Sequence, residues 1–156
     1  MSHSTGCRHV AAYAERVTAR DEASDFINEM YMAVMEECPL WELPGGTTDL
    51  LADGPVRHGP WEPRACAELI IRWLDRGWVE LYLPELPPQW ELEPADWQVR
   101  AERRGAFSIL ARADARQLLQ DWQRWTVDSA NGQASLSRTD VGMSVPVDDW
   151  LGAATA

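Results

Sequence analysis

One stretch constrains the fold more than any other part of this chain: residues 63–83, PRACAELIIRWLDRGWVELYL. Pro63 suits the first position of a helix, and Gly77 suits the left-handed position that ends one. The aromatic and β-branched content of residues 78–83 is typical of a strand. The segment therefore predicts a helix that turns directly into a strand. The apolar residues of the helix recur at the spacing of a core-facing stripe: Cys66, Leu69, Ile70, Trp73 and Leu74.

The composition indicates one globular domain. The chain has 156 residues, of which 46% are hydrophobic, too many for a disordered protein even with a net charge of −11. No apolar run approaches the roughly 20 residues that span a bilayer, and the N-terminus lacks the pattern of a secretory signal. We therefore expect a cytoplasmic protein that does not contact a membrane. Cys7, Cys38 and Cys66 leave one cysteine unpaired, which favours a reducing compartment without a disulfide framework.

The chain divides into a tail with a weak helix (1–20), a single domain (21–142) and an acidic C-terminal tail (143–156). Within the domain, a helix is predicted to end at Pro39, with a short helix at 49–53 after it. The stripe that predicts the first of these helices contains Ile27, Met30, Tyr31, Val34, Met35 and Cys38.

The second half of the domain is less regular. Residues 89–105 predict a long loop, residues 106–110 a short strand and residues 112–124 a helix. Asn131-Gly132 is a strong hairpin signal, and it predicts a turn that joins residues 126–129 to residues 133–137.

The order of helix, glycine, aromatic strand and a later strand before Thr139 and Gly142 resembles a winged helix-turn-helix. The phrase LDRGWVELY (residues 74–82) is similar to small actinobacterial proteins of uncharacterised function with such a core. The resemblance implies an α+β fold, mainly helical, with a small antiparallel sheet. In this chain a helical insertion, residues 84–125, separates the two wing strands, where the family has a short loop.

Many winged helices bind DNA, so that function needs a direct test against the charges of this sequence. The candidate recognition helix offers Arg64, Arg72 and Arg76, but Glu68 and Asp75 lie among them, and the whole chain is acidic. Phosphate binding requires an excess of basic side chains. Nucleic acid is therefore the second hypothesis for a partner. Six arginines between residues 100 and 124 form either a basic patch or an ion-paired helix face, and the sequence leaves both open.

No enzymatic motif is present. The chain has three histidines, and His3, Cys7 and His9 do not match a zinc-binding spacing. His58, in a loop rich in glycine and proline, is typical of a surface histidine. We therefore predict no catalytic residue, no metal and no cofactor. A small enzyme or ligand-binding protein with a site under residues 84–125 is a third hypothesis.

The leading hypothesis is a non-enzymatic protein-interaction module, of the immunity or regulatory-adaptor type. Nine tryptophans exceed what a core of this size needs, and exposed aromatic rings are typical of interfaces. The partner would be a protein with a basic and apolar surface, and a homodimer is left open. The candidate anchors, which lie in predicted loops or in the tail, are Trp61, Trp90, Trp97 and Trp150.

Overall fold

The computed structural model describes residues 22–83 and 108–155. The predicted tail and weak helix at 1–20, the long loop at 89–105, and both Trp90 and Trp97 lie outside these residues. The described helices are α1 (Glu22–Met35), α2 (Pro63–Asp75), α3 (Arg112–Gln120), α4 (Ala130–Gln133), α5 (Asp140–Ser144) and α6 (Val147–Ala153), with 3-10 turns at Leu40–Gly45 and Trp122–Arg124. The strands are β1 (Thr47–Leu51), β2 (Gly54–His58), β3 (Val79–Leu83), β4 (Ser108–Ile109) and β5 (Ser135–Arg138).

The central helix and strand form as the sequence predicts. Helix α2 begins at Pro63, and all five residues of its predicted stripe are buried. The backbone N–H of Gly77 donates to the Leu74 carbonyl oxygen (2.9 Å), and Gly77 has a φ of 72°, which favours glycine. The Trp78 N–H then donates to the Trp73 carbonyl oxygen (3.0 Å), and β3 begins at the next residue.

The fold class is α+β, mainly helical, with small antiparallel sheets, as predicted. One sheet has the order β4-β3-β5, and Glu80 of β3 pairs with Ser137 of β5. Helix α3 lies between these two strands in the chain, and the predicted insertion of residues 84–125 as a whole stays a prediction. The winged-helix resemblance itself remains a prediction. Among the described residues, no helix has both the length and the apolar character that crossing a bilayer requires.

Two cysteines differ in state. Cys66 is a free, fully buried thiol, and burial raises its pKa to about 12. Cys38 is disulfide-bonded. The expectation that the chain forms no disulfide was therefore wrong, because the spacing of cysteines along a chain does not determine which of them meet in space.

Residues 47–58 form a hairpin of strands β1 and β2, whereas the sequence predicted a short helix at 49–53. Leu51 pairs with Gly54, so Ala52 and Asp53 form the turn. Gly54 has a φ of 120°, a conformation that side chains disfavour. The hairpin is paired along its whole length, and pairing of this kind overrides the helical preference of a few residues.

Asn131-Gly132 does not form the predicted turn but lies within α4. Ser129 caps this helix, because its hydroxyl oxygen accepts a hydrogen bond from the Gly132 N–H (2.8 Å). A side chain at Gly132 would collide with the carbonyl oxygen of Thr126. The glycine is therefore explained by close backbone packing and not by a hairpin. Strand β5 pairs with β3 and not with residues 126–129.

The C-terminal residues, predicted to be an acidic tail, form helices α5 and α6 and pack on the core. Trp150 of α6 is 1% exposed, and its ring contacts those of Tyr31, Trp73 and Trp78. The acidic residues Asp148 and Asp149 are exposed in the first turn of the same helix. The segment is therefore amphipathic, and the buried ring of Trp150 packs it against the core.

Candidate functional site

A histidine held between two carboxylates joins helix α1 to the β1–β2 hairpin. The Nδ1 atom of His58 lies 2.8 and 2.9 Å from the two carboxylate oxygens of Asp25. Its Nε2 atom lies 3.1 Å from an Asp49 carboxylate oxygen. His58 is 9% exposed. The expectation of a surface histidine was therefore wrong, because helix α1 covers the end of β2.

Strand geometry explains why these side chains meet. Thr47 and Asp49 are two residues apart on β1, so their side chains lie on the same face of the hairpin. His58 pairs with Thr47 across the hairpin and shares that face. From α1, Asp25 and Glu29 are four residues apart and lie on one side of the helix. The Thr47 hydroxyl donates a hydrogen bond to a Glu29 carboxylate oxygen. Two carboxylates from the helix therefore face a histidine and an aspartate from the hairpin.

The electrostatic setting of His58 is strongly negative. Burial by itself lowers the pKa of His58, but the hydrogen bond to Asp25 and the charges of Asp25, Glu29 and Asp49 outweigh it. The pKa of His58 therefore lies above its ordinary value, and the imidazole keeps its proton to a higher pH than a free histidine. One donor atom each of Asp25, Glu29 and His58 lies within 4.8 Å of the others, so these three residues have a geometry that could hold a metal ion.

The arrangement does not resemble a hydrolytic triad. In such a triad one ring nitrogen of the histidine bonds the nucleophile and the other bonds a carboxylate. In this chain carboxylates occupy both ring nitrogens, and the nearby hydroxyl of Thr47 donates to Glu29. The cluster can bind a proton or a cation, but it does not activate a nucleophile.

A second feature is an open groove of about 620 Å³ between the first turns of α1 and α2. Its apolar lining includes Phe26, Pro60, Trp61 and Ala65, and Glu22 and Glu62 stand beside them. The Phe26 and Trp61 rings contact each other at a centroid distance of 5.3 Å. The Trp61 Nε1–H is buried without a hydrogen-bond partner. We call this the Trp61 groove.

The predicted tryptophan anchors have different surroundings. Trp61 is half-buried and lines the Trp61 groove. Trp150 is buried in the core, so its predicted exposure was wrong. Its indole contacts three other aromatic rings, and no local pattern indicates such long-range contacts. Trp90 and Trp97 lie outside the described residues.

The three arginines of the candidate DNA-binding helix all bond within the protein. The Arg64 guanidinium pairs with Glu68 (2.9 Å). Arg72 donates to the carbonyl oxygen of Ala154. Arg76 donates to the Arg72 carbonyl oxygen (3.4 Å), and its guanidinium carbon lies 5.5 Å from the centre of the Trp78 ring. A phosphate would compete with these contacts.

The arginines between residues 100 and 124 are described only in part. Arg116 pairs with Asp75 (2.7 Å), and Arg124 pairs with Asp121 (3.4 Å). These two arginines are ion-paired, but Arg116 bonds to helix α2 and not to a residue of its own helix, so the predicted ion-paired helix face stays a prediction. Arg100, Arg103 and Arg104 lie outside the described residues, so a single patch of six stays a prediction. The same holds for a site under residues 84–125, most of which are not described.

No family model, no curated protein and no solved structure matches this chain.

The His58 cluster was not predicted from the sequence. Its residues come from two elements that are distant in the chain, since Asp25 and His58 are 33 positions apart. A correct prediction of the hairpin would have placed Thr47, Asp49 and His58 on one face. Strand β1 has the sequence TTDLL, which does not alternate apolar and polar residues, so the sequence predicted a helix at 49–53 instead.

Proposed function

We propose that this protein is a non-enzymatic protein-interaction module that binds a basic and apolar segment of a partner protein in the Trp61 groove. The observation that carries the proposal is the combination, in one open groove, of aromatic side chains with two exposed glutamates.

The apolar lining supplies a reason for binding. Phe26 and Trp61 contact each other, and each is only partly buried against the core. Burying the rest of such rings contributes about 25 cal/mol for each Å² removed from water. Tryptophan is also among the residues that most often dominate the energy of an interface. An apolar side chain of the partner would pack between these rings and Ala65.

The charges supply the selectivity. Glu22 and Glu62 are exposed at the groove, and the formal net charge of the chain is −11. Opposite charges at the rim of an interface accelerate association and disfavour partners of the wrong sign. A partner segment that presents arginine or lysine beside apolar residues therefore complements the groove, and an acidic segment does not.

Binding of a labelled peptide of alternating arginine and leucine to the full chain, measured by fluorescence anisotropy, tests the proposal. The double variant Glu22→Arg, Glu62→Arg should weaken binding of this peptide at least tenfold. A matched control, Asp53→Arg with Asp128→Arg, changes two other exposed carboxylates and raises the net charge equally. The control should keep most of the affinity. An equal loss in both variants would show that net charge, and not the groove, attracts the peptide.

A second pair of variants tests the apolar part. Ala23 is exposed and lines the groove, so Ala23→Trp would fill it without removing a core side chain. Ala113→Trp makes the same change at an exposed position of α3. We expect Ala23→Trp to block the peptide and Ala113→Trp to leave binding unchanged. Unchanged binding in Ala23→Trp would contradict the proposal.

A further inference from the structure

The His58 cluster contains the arrangement that positions a metal-binding histidine. A histidine that binds a metal through one ring nitrogen nearly always donates its other N–H to a carboxylate or a carbonyl. In this chain Asp49 is placed to accept from Nε2 at 3.1 Å. When zinc displaces the Nδ1 proton, which bonds to Asp25 in the absence of metal, the hydrogen bond from Nε2 to Asp49 would hold the ring with Nδ1 towards helix α1.

Two carboxylates of helix α1 lie near the His58 ring. Asp25 and Glu29 come from successive turns of α1, and one donor atom of each lies within 4.8 Å of the other and of a His58 ring nitrogen. Zinc bonds to nitrogen and oxygen are about 2.0–2.2 Å long, so two ligands of a tetrahedral ion lie about 3.3–3.6 Å apart. The three donors, which lie within 4.8 Å of one another, would need to approach by at most about 1.5 Å, a distance that side-chain rotation can supply.

The surroundings hold the carboxylates in place. Thr47 donates a hydrogen bond to one oxygen of Glu29 and so orients that side chain. Glu29 is 6% exposed, whereas the Asp25 side chain is 28% exposed. The buried side of the cluster is therefore fixed, and the Asp25 side offers a path for an ion from solvent.

We propose that Asp25, Glu29 and His58 bind a divalent zinc ion, with His58 ligating through Nδ1 and Asp49 positioning it through Nε2. Three protein ligands leave a fourth position for water. A site that includes imidazole favours zinc over magnesium and calcium, which prefer oxygen ligands alone. The site shares no residue with the Trp61 groove, and it does not depend on the proposed interaction function.

Isothermal titration calorimetry of the full chain with zinc chloride tests the proposal. We expect one ion per chain, and we expect magnesium not to compete. Asp25→Asn and Glu29→Gln should each weaken zinc binding at least tenfold. Asp49→Asn, which changes no ligand, should weaken it about 10–100-fold because it releases the ring. Zinc affinities equal to that of the unaltered chain in all three variants would overturn the site.

The N-terminal segment requires its own control, since His3 and His9 could bind zinc independently. The variant His3→Ala, His9→Ala should bind zinc as tightly as the unaltered chain. Loss of binding in this variant would assign the zinc to the N-terminus and overturn the proposal.

A spectroscopic measurement avoids the risk that a variant fails to fold. In ¹⁵N-labelled protein without substitutions, zinc should shift the Nδ1 resonance of His58, while Nε2 keeps its proton. Far-UV circular dichroism of each variant separates lost binding from lost folding. An unchanged His58 resonance at saturating zinc would refute the site even where every variant is unfolded.

Discussion

The indole rings of Trp73 and Trp150 meet edge to face, with centroids 5.2 Å apart and an interplanar angle of 71°. The Trp73 Nε1–H also donates to the backbone carbonyl oxygen of Trp150 (3.3 Å). Trp73 is on α2 and Trp150 is on α6, so these contacts join the central helix to the C-terminal end of the described chain. Both side chains are fully buried, and the pair fixes α6 to the core.

The first prediction concerns this contact. Trp150→Ala should lower the free energy of unfolding by about 3–5 kcal/mol, because it removes a large buried ring and leaves a cavity. Val147→Ala, in the same helix but at a residue that is 47% exposed, should change it by less than about 0.5 kcal/mol. Urea denaturation of the full chain measures both. Equal effects would mean that α6 does not pack on the core as described.

The second prediction compares two glycines near the C-terminus. A Cβ at Gly142 would collide with the Trp78 carbonyl oxygen and come within 3.2 Å of the Trp150 ring, so Gly142→Ala should destabilise the fold by about 1–3 kcal/mol. A Cβ at Gly152 would meet nothing within 4 Å. Because alanine favours helix over glycine, Gly152→Ala should be neutral or stabilising by up to about 1 kcal/mol. Thermal unfolding distinguishes the two, and the reverse order would contradict the packing around Trp78.

Local patterns predicted the three longest described helices, α1, α2 and α3, but not the short helices α4, α5 and α6 or the contacts between elements. The stripes of α1 and α2 were visible because a helical face repeats within a few residues. The β1–β2 hairpin was not predicted, since Leu50 is 87% exposed and its strand lacks a clean alternation of apolar and polar residues. Burial of Trp150 depends on Trp73, which is 77 positions earlier. No local pattern contains a relationship of that kind.

The same limit applies to the candidate sites. Trp61 was singled out because it lies in a predicted loop, and the structure places it in a groove with Phe26. The groove itself could not be predicted, because α1 and α2 are joined by a hairpin that the sequence analysis did not find. Only the three-dimensional arrangement shows that Asp25 and Asp49 hold His58 from opposite sides.

The third prediction concerns pH. Burial raises the pKa of Glu80, and the negative charge of Asp140 raises it further. Since the folded state holds this proton more tightly than the unfolded state, the contribution of Glu80 to stability is fully present below its ordinary pKa. This contribution is lost as the pH rises through the raised pKa of Glu80 in the folded state. Glu80→Gln should therefore be more stable than the unaltered chain near pH 7 and closer to it near pH 4. Urea titrations at both pH values measure the difference in unfolding free energy between the two proteins. A difference that increases as the pH falls would contradict the prediction.

The fourth prediction separates the proposed interaction module from a winged-helix regulator. Arg64, Arg72 and Arg76 are each engaged within the protein, and the chain is acidic, so duplex DNA should not bind at about 50 mM salt. Fluorescence anisotropy with labelled duplexes of mixed sequence provides the measurement. Glu68→Gln, which releases Arg64 from its ion pair, serves as a sensitised variant and should also fail to bind. Salt-dependent binding of DNA would instead support the regulator if Arg64→Ala or Arg76→Ala weakened it. Such a result would mean that these guanidinium groups leave their present partners to contact phosphate.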